Sequence, residues 1–272
     1  MALRVRSRGG GGDMTAGEEG AEGAEDVNLG RLAKPLSAEM QPGVGFRIRA
    51  DIERPDPQLV RAFAAFATAD ISDVMNRLYT MSPSIRNVTD PNLRLGGTAC
   101  TVKVFPGDNL MVHKSLDIAQ PGDVLVVDAS SSMMTAVLGS LVAVKARHRG
   151  IVGMVVDGLV RDVSGIQSLG DFPVFARGVT PIGPLHRGPG EINYPVSAGG
   201  IVVHPGDVIV GDLDGVAVVP RDAAETVLAR VEARTRGEAE YIAAVARGEF
   251  SNAWVDAILA DNDVPSDDDA NP

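Results

Sequence analysis

The sequence predicts an α/β fold, and three observations carry that prediction. Val124–Asp128 and Ile151–Val156 are short apolar, β-branched runs bounded by Gly or Pro turns, the pattern of buried strands. Between them, Met134–Arg149 places Val137, Leu138, Leu141, Val142 and Val144 at helical spacing and stops at Gly150. Strand, helix and strand over roughly thirty residues make a βαβ unit, with parallel strands and a right-handed crossover. That connection sets the start of the helix beside the end of the second strand. The third observation is compositional. Of 272 residues, 44% are hydrophobic and 31 are glycine, enough for a sizeable core joined by many turns.

Charge and cysteine content narrow the function classes. A formal net charge of -11 argues against nucleic-acid backbones and anionic membranes as partners, although part of it lies in the tails. Cys100 is the only cysteine, which excludes an intramolecular disulfide and a cysteine-cluster metal site. It sits in the apolar stretch Thr98–Val104 and reads as small core filling. There is no apolar run of about 18 residues or more, and Met1–Gly12 lacks the apolar middle of a signal peptide. A cytoplasmic protein is the expectation.

Along the chain, residues 1–45 are rich in Gly, Glu and Ala without a sustained period, which reads as a disordered extension. The Gly9–Gly12 run is no phosphate loop, since no strand precedes it and no Gly-Lys-Ser/Thr follows. Order is expected from near Pro55, with one folded domain over residues 55–250. Pro57–Phe66 and Thr68–Leu78 have helical spacing, with Thr68 or Asp70 as a cap. Ser84–Val88 and Leu93–Phe105 are extended, the second closed by Pro106-Gly107-Asp108, and Asn109–Ala119 is a short helix holding His113 and Lys114. After the βαβ unit come a short helix to Leu169 and a strand at Pro173–Ala176. A Gly/Pro-rich loop over Pro181–Pro195 holds His186, Arg187, Glu191 and Asn193, and strands follow at Ile201–Val203, Val208–Val210 and Gly215–Val219. Pro205-Gly206-Asp207-Val208 echoes Pro121-Gly122-Asp123-Val124, and two similar turns entering strands explain the echo. Asp222–Ala246 is the longest helical pattern, stopped at Gly248, and residues 261–272 form an acidic tail expected to be disordered.

The stretch richest in chemistry runs from Gly150 to Asp162. Its strand is expected to end at Asp157-Gly158, a pair that favours a tight turn, with Arg161 and Asp162 just beyond. In an open α/β fold, ligands gather outside the carboxyl ends of strands. A fixed cation there can hold a substrate carboxylate, and a lone aspartate can anchor a hard divalent ion. A plainer reading has Asp162 capping a helix over Val163–Leu169 and Arg161 solvated at the surface. Local sequence leaves both open.

The string Val156-Asp157-Gly158-Leu159-Val160-Arg161-Asp162 does not stand alone. With Ile71-Ser72-Asp73, Gly96-Gly97-Thr98-Ala99, Pro106-Gly107-Asp108-Asn109, Pro121-Gly122-Asp123-Val124 and Leu138-Gly139, in this order and spacing, it resembles the RraA-like family. The resemblance runs from about Ala67 to about Glu249. That family includes class II 4-hydroxy-4-methyl-2-oxoglutarate/4-carboxy-4-hydroxy-2-oxoadipate aldolases. The resemblance implies an αββα sandwich of the swivelling β/β/α type, assembled as homotrimers or hexamers with sites at subunit interfaces. It implies a divalent-metal-dependent lyase, an aldolase or oxaloacetate decarboxylase, that cleaves a small 2-oxo acid to leave the enolate of pyruvate. On this chain Arg161 would bind the substrate and Asp162 would hold Mg²⁺ or Mn²⁺. Backbone groups of Gly139, Ser140, Leu141 and Val142 would take the pyruvate-like carboxylate. Elementary chemistry agrees: free N–H groups at a helix start suit an anion, and Mg²⁺ keeps its waters beside few protein ligands. Cations aimed at the ketone oxygen stabilise the transition state more than the ground state.

One position departs from the family pattern. Family aldolases carry an acidic residue ahead of the Arg-Asp pair with twenty residues between, and here that position is Ser140. Retro-aldol cleavage must remove a proton from the C4 hydroxyl, whereas decarboxylation of oxaloacetate needs only an electron sink. Serine without an activating partner is a poor base, so decarboxylation is expected to survive better than aldol cleavage. The resemblance also implies a catalytic glutamate that reaches the metal's waters from the C-terminal helix of a neighbouring subunit. Glu238 matches best by its distance from Gly248-Glu249; Glu240 is a rival, and duty on a solvated helix face suits either equally. Some relatives are regulators that bind a ribonuclease, which is the alternative to an enzyme. No glycine-rich cofactor loop follows the first strand, so the methyltransferase activity also attached to the family is not expected.

Overall fold

Side-chain alternation along the strands sorts the core into three apolar layers, and these layers define the architecture. The computed structural model describes residues 39–265, and most of the expected N-terminal extension and acidic tail lies outside that range. The chain order is β1 (Phe46–Ile48), α1 (Pro57–Ala62), α2 (Thr68–Val74), β2 (Arg86–Asn87), β3 (Leu95–Val104), α3 (Leu110–Ser115), β4 (Asp123–Asp128), β5 (Ala136–Leu138) and α4 (Ser140–His148). It continues with β6 (Gly153–Val160), α5 (Val163–Gln167), β7 (Val174–Val179), β8 (Gly190–Ile192), β9 (Val196–Ala198), β10 (Ile201–Val203), β11 (Val208–Asp212), β12 (Gly215–Val219), α6 (Ala224–Ala246) and α7 (Ala253–Asp261).

The main sheet runs β1-β8-β3-β4-β6-β7-β2, with β3, β4, β6 and β7 mutually parallel at its centre. On one face of these strands Cys100, Val102, Leu125, Val127, Met154 and Val156 pack under α3, α4 and α5. On the other face Ala99, Val124, Val126, Val155 and Phe175 meet Ile209, Val216 and Val218 of the β11–β12 hairpin, beside the small β9–β10 hairpin. The far side of β11–β12, through Val208, Val210, Ala217 and Val219, is covered by α1, α2 and α6. The layers are therefore helix, sheet, sheet, helix, the αββα sandwich that the resemblance implies. β11 also pairs antiparallel with β3, so the second β layer is the same hydrogen-bonded sheet folded back on itself. Burying one such Val, Leu or Ile side chain stabilises by about 1.5–3 kcal/mol, so the packing between the two β layers is a sum of many moderate contributions.

The βαβ unit is present, since β4 and β6 pair in parallel and α4 lies between them in sequence. Two of its boundaries differ from expectation, and both shape the site. The first turn of the expected Met134 helix is instead β5, which pairs with β6 at Leu159 and Val160. Ala136, Val137 and Leu138 are all buried, and an apolar residue at every position suits a buried strand as well as a helix. Nor does a turn form at Asp157-Gly158. β6 runs on to Val160, and the pair sits where the register between β6 and β7 shifts, as at a bulge. Asp157 is tied there by Arg177, by Ser131 Oγ at 3.0 Å and by the Gly199 N–H at 2.9 Å.

Order also begins before Pro55. β1 pairs in parallel with β8, and Glu191 accepts from the Gly45 N–H at 2.9 Å and Arg47 Nε at 2.6 Å. Three residues carry no readable period, so this strand was invisible in the sequence. At the other end α6 buries only Ala224, Val227 and Val231, and α7, which the sequence did not suggest, buries nothing. α6 stops at Gly248 as expected: Gly248 has φ 77°, its N–H reaches Val245 O at 3.0 Å, and the Glu249 N–H reaches Ala244 O at 2.9 Å, a Schellman ending. Among the described residues no helix is long and apolar enough to cross a membrane.

Candidate functional site

The prolonged β6 delivers Arg161 and Asp162 to the carboxyl end of the parallel strands, beside the start of α4. The Arg161 N–H donates to Leu138 O at 3.0 Å, so β5 fixes the backbone of the pair. Asp162 has a left-handed backbone, φ 55° and ψ 40°, and stands at the N-cap position of α5. Such a conformation costs on the order of 1–3 kcal/mol and persists only where the surroundings impose it. Its carboxylate accepts no helix N–H, so the capping role open to it in the sequence is not taken up. It stays 52% exposed, with Oδ2 at 3.5 Å from Nε of Arg161, itself 42% exposed. Among the described residues Arg161 has no other carboxylate partner.

Close backbone approach surrounds this pair. Gly139, at φ -145°, adopts a conformation open to any residue, yet a Cβ there would lie 2.7 Å from Asp162 Oδ2 and 2.9 Å from Arg161 Cγ. A Cβ on Gly165 would lie 2.8 Å from Ser140 Cβ, and one on Gly183 would overlap the Arg161 guanidinium. Neither Gly165 nor Gly183 was singled out in the sequence. Gly165 gave one faint signal, because a glycine inside a helix costs about 1 kcal/mol and is kept for a packing reason.

At the start of α4, Gly139 is the N-cap residue and no side chain caps the helix, so the N–H groups of Ser140 and Leu141 have no helix partner. These donors and the positive end of the helix suit an anion. Val142 differs from its expected role, because its N–H is spent on Gly139 O at 3.1 Å and its side chain is buried. Glu238 is not brought to the pair within one chain. It lies on α6, in the opposite helical layer, and pairs with Arg234 at 3.0 Å, while Arg234 also reaches Asp73 at 2.9 Å.

Among the described residues, no three His, Cys, Asp or Glu side chains cluster as a ligand set. A lone exposed carboxylate suits a hard ion that keeps most of its waters, which is magnesium behaviour. Cys100 is fully buried, and burial lifts its thiol to about 12, so it is protonated core filling and no nucleophile. Burial lowers the pKa of His113, helped by His186 and Lys145, and the two imidazoles meet edge to face at 5.4 Å. A cavity of about 710 Å³, lined by Arg49, Tyr79, His204, Asp207 and Arg221 among others, does not include Arg161 or Asp162.

A family model described as RraA-like, Aldolase/RraA, matches residues 68–218. A Halalkalibacterium halodurans protein named "Putative 4-hydroxy-4-methyl-2-oxoglutarate aldolase" is 39% identical over 193 residues, 68% of this chain and 91% of that one. A crystal structure from Pseudomonas syringae superposes with a TM-score of 0.65 at 27% identity, over 73% of this chain and 97% of its own. Streptomyces coelicolor RraAS2, described as an unusual member of the RNase ES inhibitor RraA protein family, gives 0.62 at 30% identity, over 69% and 98%.

Proposed function

This chain belongs to the RraA-like family, and on that premise we propose that it is a divalent-metal-dependent lyase cleaving a small 2-oxo acid through the enolate of pyruvate. The observation that carries the reading is the Arg161–Asp162 pair, exposed at a strand end, bound to no other charge among the described residues, and pressed against the uncapped start of α4. The name of the H. halodurans relative supports 4-hydroxy-4-methyl-2-oxoglutarate as the substrate class.

In this reading the N–H groups of Ser140 and Leu141 orient the carboxylate next to the ketone, and Arg161 adds a charge-assisted bond to the same end of the substrate. Asp162 is the residue that holds Mg²⁺ or Mn²⁺, which when bound supplies Lewis-acid stabilisation of the charge developing on the ketone oxygen. Aldol cleavage further requires a base for the C4 hydroxyl. Ser140 Oγ is packed against Gly165 and, among the described residues, is hydrogen-bonded to no histidine or carboxylate. Oxaloacetate, which loses CO₂ without that proton transfer, is therefore the better substrate.

The reading includes a homotrimer or hexamer with sites at subunit interfaces. The outer part of α6, the connection after it and α7 expose Tyr241, Ile242, Phe250, Trp254 and Ile258, an apolar arm suited to covering a neighbouring copy. Glu238 rides on α6 toward that arm and is the residue to approach the neighbour's metal site. A second reading, a regulator that binds a ribonuclease, is favoured by the likeness to the S. coelicolor protein. Pyruvate release from oxaloacetate and from 4-hydroxy-4-methyl-2-oxoglutarate, with Mg²⁺ and with EDTA, separates the two. Chelator-sensitive release that Arg161→Ala abolishes supports the lyase, and its ratio between substrates reports what Ser140 costs. No release from either substrate moves the choice to the binding protein.

A further inference from the structure

We infer that the loop Thr180–Gly188 is the positioning device of Arg161, with Gly183 as the seat of the guanidinium and Asp108-Asn109 as the clamp that holds the loop. The inference rests on Arg161 being the group that binds substrate. Gly183 shows no left-handed φ, so its backbone does not ask for glycine; the space does, because a Cβ would overlap the Arg161 guanidinium. A loop is ordinarily the mobile part of a fold, and a seat on it is useful only if the loop is tied down.

This one is tied at both ends and in the middle. The Thr180 N–H donates to Val160 O at 3.0 Å, and Ile182 O accepts the Ala136 N–H at 2.8 Å. The Leu185 N–H reaches Gly107 O at 2.7 Å, and Leu185 O accepts the Asn109 N–H at 3.0 Å. The buried Asp108 carboxylate accepts the N–H groups of Arg187 at 2.5 Å and Gly188 at 3.0 Å. Asn109, 3% exposed, completes the clamp: its Nδ2 donates to Val137 O at 2.8 Å and its Oδ1 lies 2.6 Å from His186 Nδ1. With Nδ2 committed to Val137, Asn109 Oδ1 accepts, so His186 carries its proton on Nδ1.

The arrangement closes on Arg161 from two directions. Its backbone is held by Leu138 of β5. Its guanidinium is seated on the loop that Asn109 binds to the same strand, one residue away at Val137. The arginine is therefore aimed before substrate arrives, and its binding energy is not spent on ordering a long side chain.

The test is a double-mutant cycle of Gly183→Ala and Arg161→Lys, read by steady-state kinetics on oxaloacetate, by calorimetric binding of oxalate as an enolate mimic, and by thermal melting. Gly183→Ala is expected to raise KM and the oxalate Kd by about tenfold with a smaller effect on kcat and an unchanged melting temperature. In the Arg161→Lys background, where the bulky fork is gone, the same change is expected to cost less than about twofold. Asn109→Ser, which frees the loop without touching the arginine, is expected to show the same KM-weighted loss, and it serves if Gly183→Ala does not fold. Equal losses in both backgrounds, or kinetics matching wild type in Gly183→Ala and in Asn109→Ser, overturn the inference. A wild-type protein that neither turns over oxaloacetate nor binds oxalate instead contradicts the lyase reading on which it rests.

Discussion

Two arginine–aspartate pairs flank the end of β6, and the molecule uses them in opposite ways. Asp157 and Arg177 are 4% and 17% exposed. Ser131 Oγ and the Gly199 N–H also donate to Asp157, and Arg177 Nη1 reaches Ser84 Oγ at 2.5 Å. Arg161 and Asp162 are 42% and 52% exposed and stand 3.5 Å apart, and the carboxylate leaves even the helix it precedes uncapped. The residue types are the same. What separates a structural pair from a candidate site is how many of its bonding positions the fold has already filled.

The largest effect that sharpens this contrast is on stability. Asp157→Ala leaves Arg177 without its buried partner and is expected to cost about 3–5 kcal/mol in denaturant unfolding. Arg161→Ala is expected to stay within about 0.5 kcal/mol of wild type in the same experiment, while kcat/KM falls about 10²–10³-fold. If the two variants unfold alike, the distinction between filled and open pairs fails.

A smaller effect comes from His113, near the loop clamp rather than at the pair. Burial, with His186 and Lys145, holds its pKa below the usual 6.5, so the fold favours the neutral ring. As pH drops below about 6.5 the unfolded chain takes up a proton that the folded chain resists, and stability declines until the folded-state pKa is passed. His113→Gln is expected to flatten the slope of unfolding free energy against pH in that window; an unchanged slope would assign it to another group. Asp207 acts with the opposite sign. Burial raises its pKa against the backbone N–H bonds from Arg221 and His204, so its cost to the fold is relieved as pH falls through the raised value.

Much of this was legible in the sequence, and what was not has a common cause. The apolar runs of β4 and β6 and the Arg161-Asp162 pair are local features, and the βαβ connection by itself puts the start of α4 beside them. Ala136–Leu138 could be helix or strand by period, and only the pairing with Leu159 and Val160 decides. The expected turn at Asp157-Gly158 gave way to partners 20, 26 and 42 positions along the chain, Arg177, Ser131 and Gly199, which no local window contains. Gly183 looked like one more glycine in a turn-rich loop, since its reason is the side chain it faces. The spent donor of Val142 is likewise a matter of how the first turn of α4 closes on Gly139.

The most direct measurement is Mn²⁺ binding by electron paramagnetic resonance in wild type and in Asp162→Asn, with oxaloacetate turnover followed in the same samples. Wild type is expected to bind the ion and release pyruvate, and Asp162→Asn to lose both together while melting at the wild-type temperature. Full Mn²⁺-dependent turnover by Asp162→Asn would contradict the placement of the reaction at the end of β6.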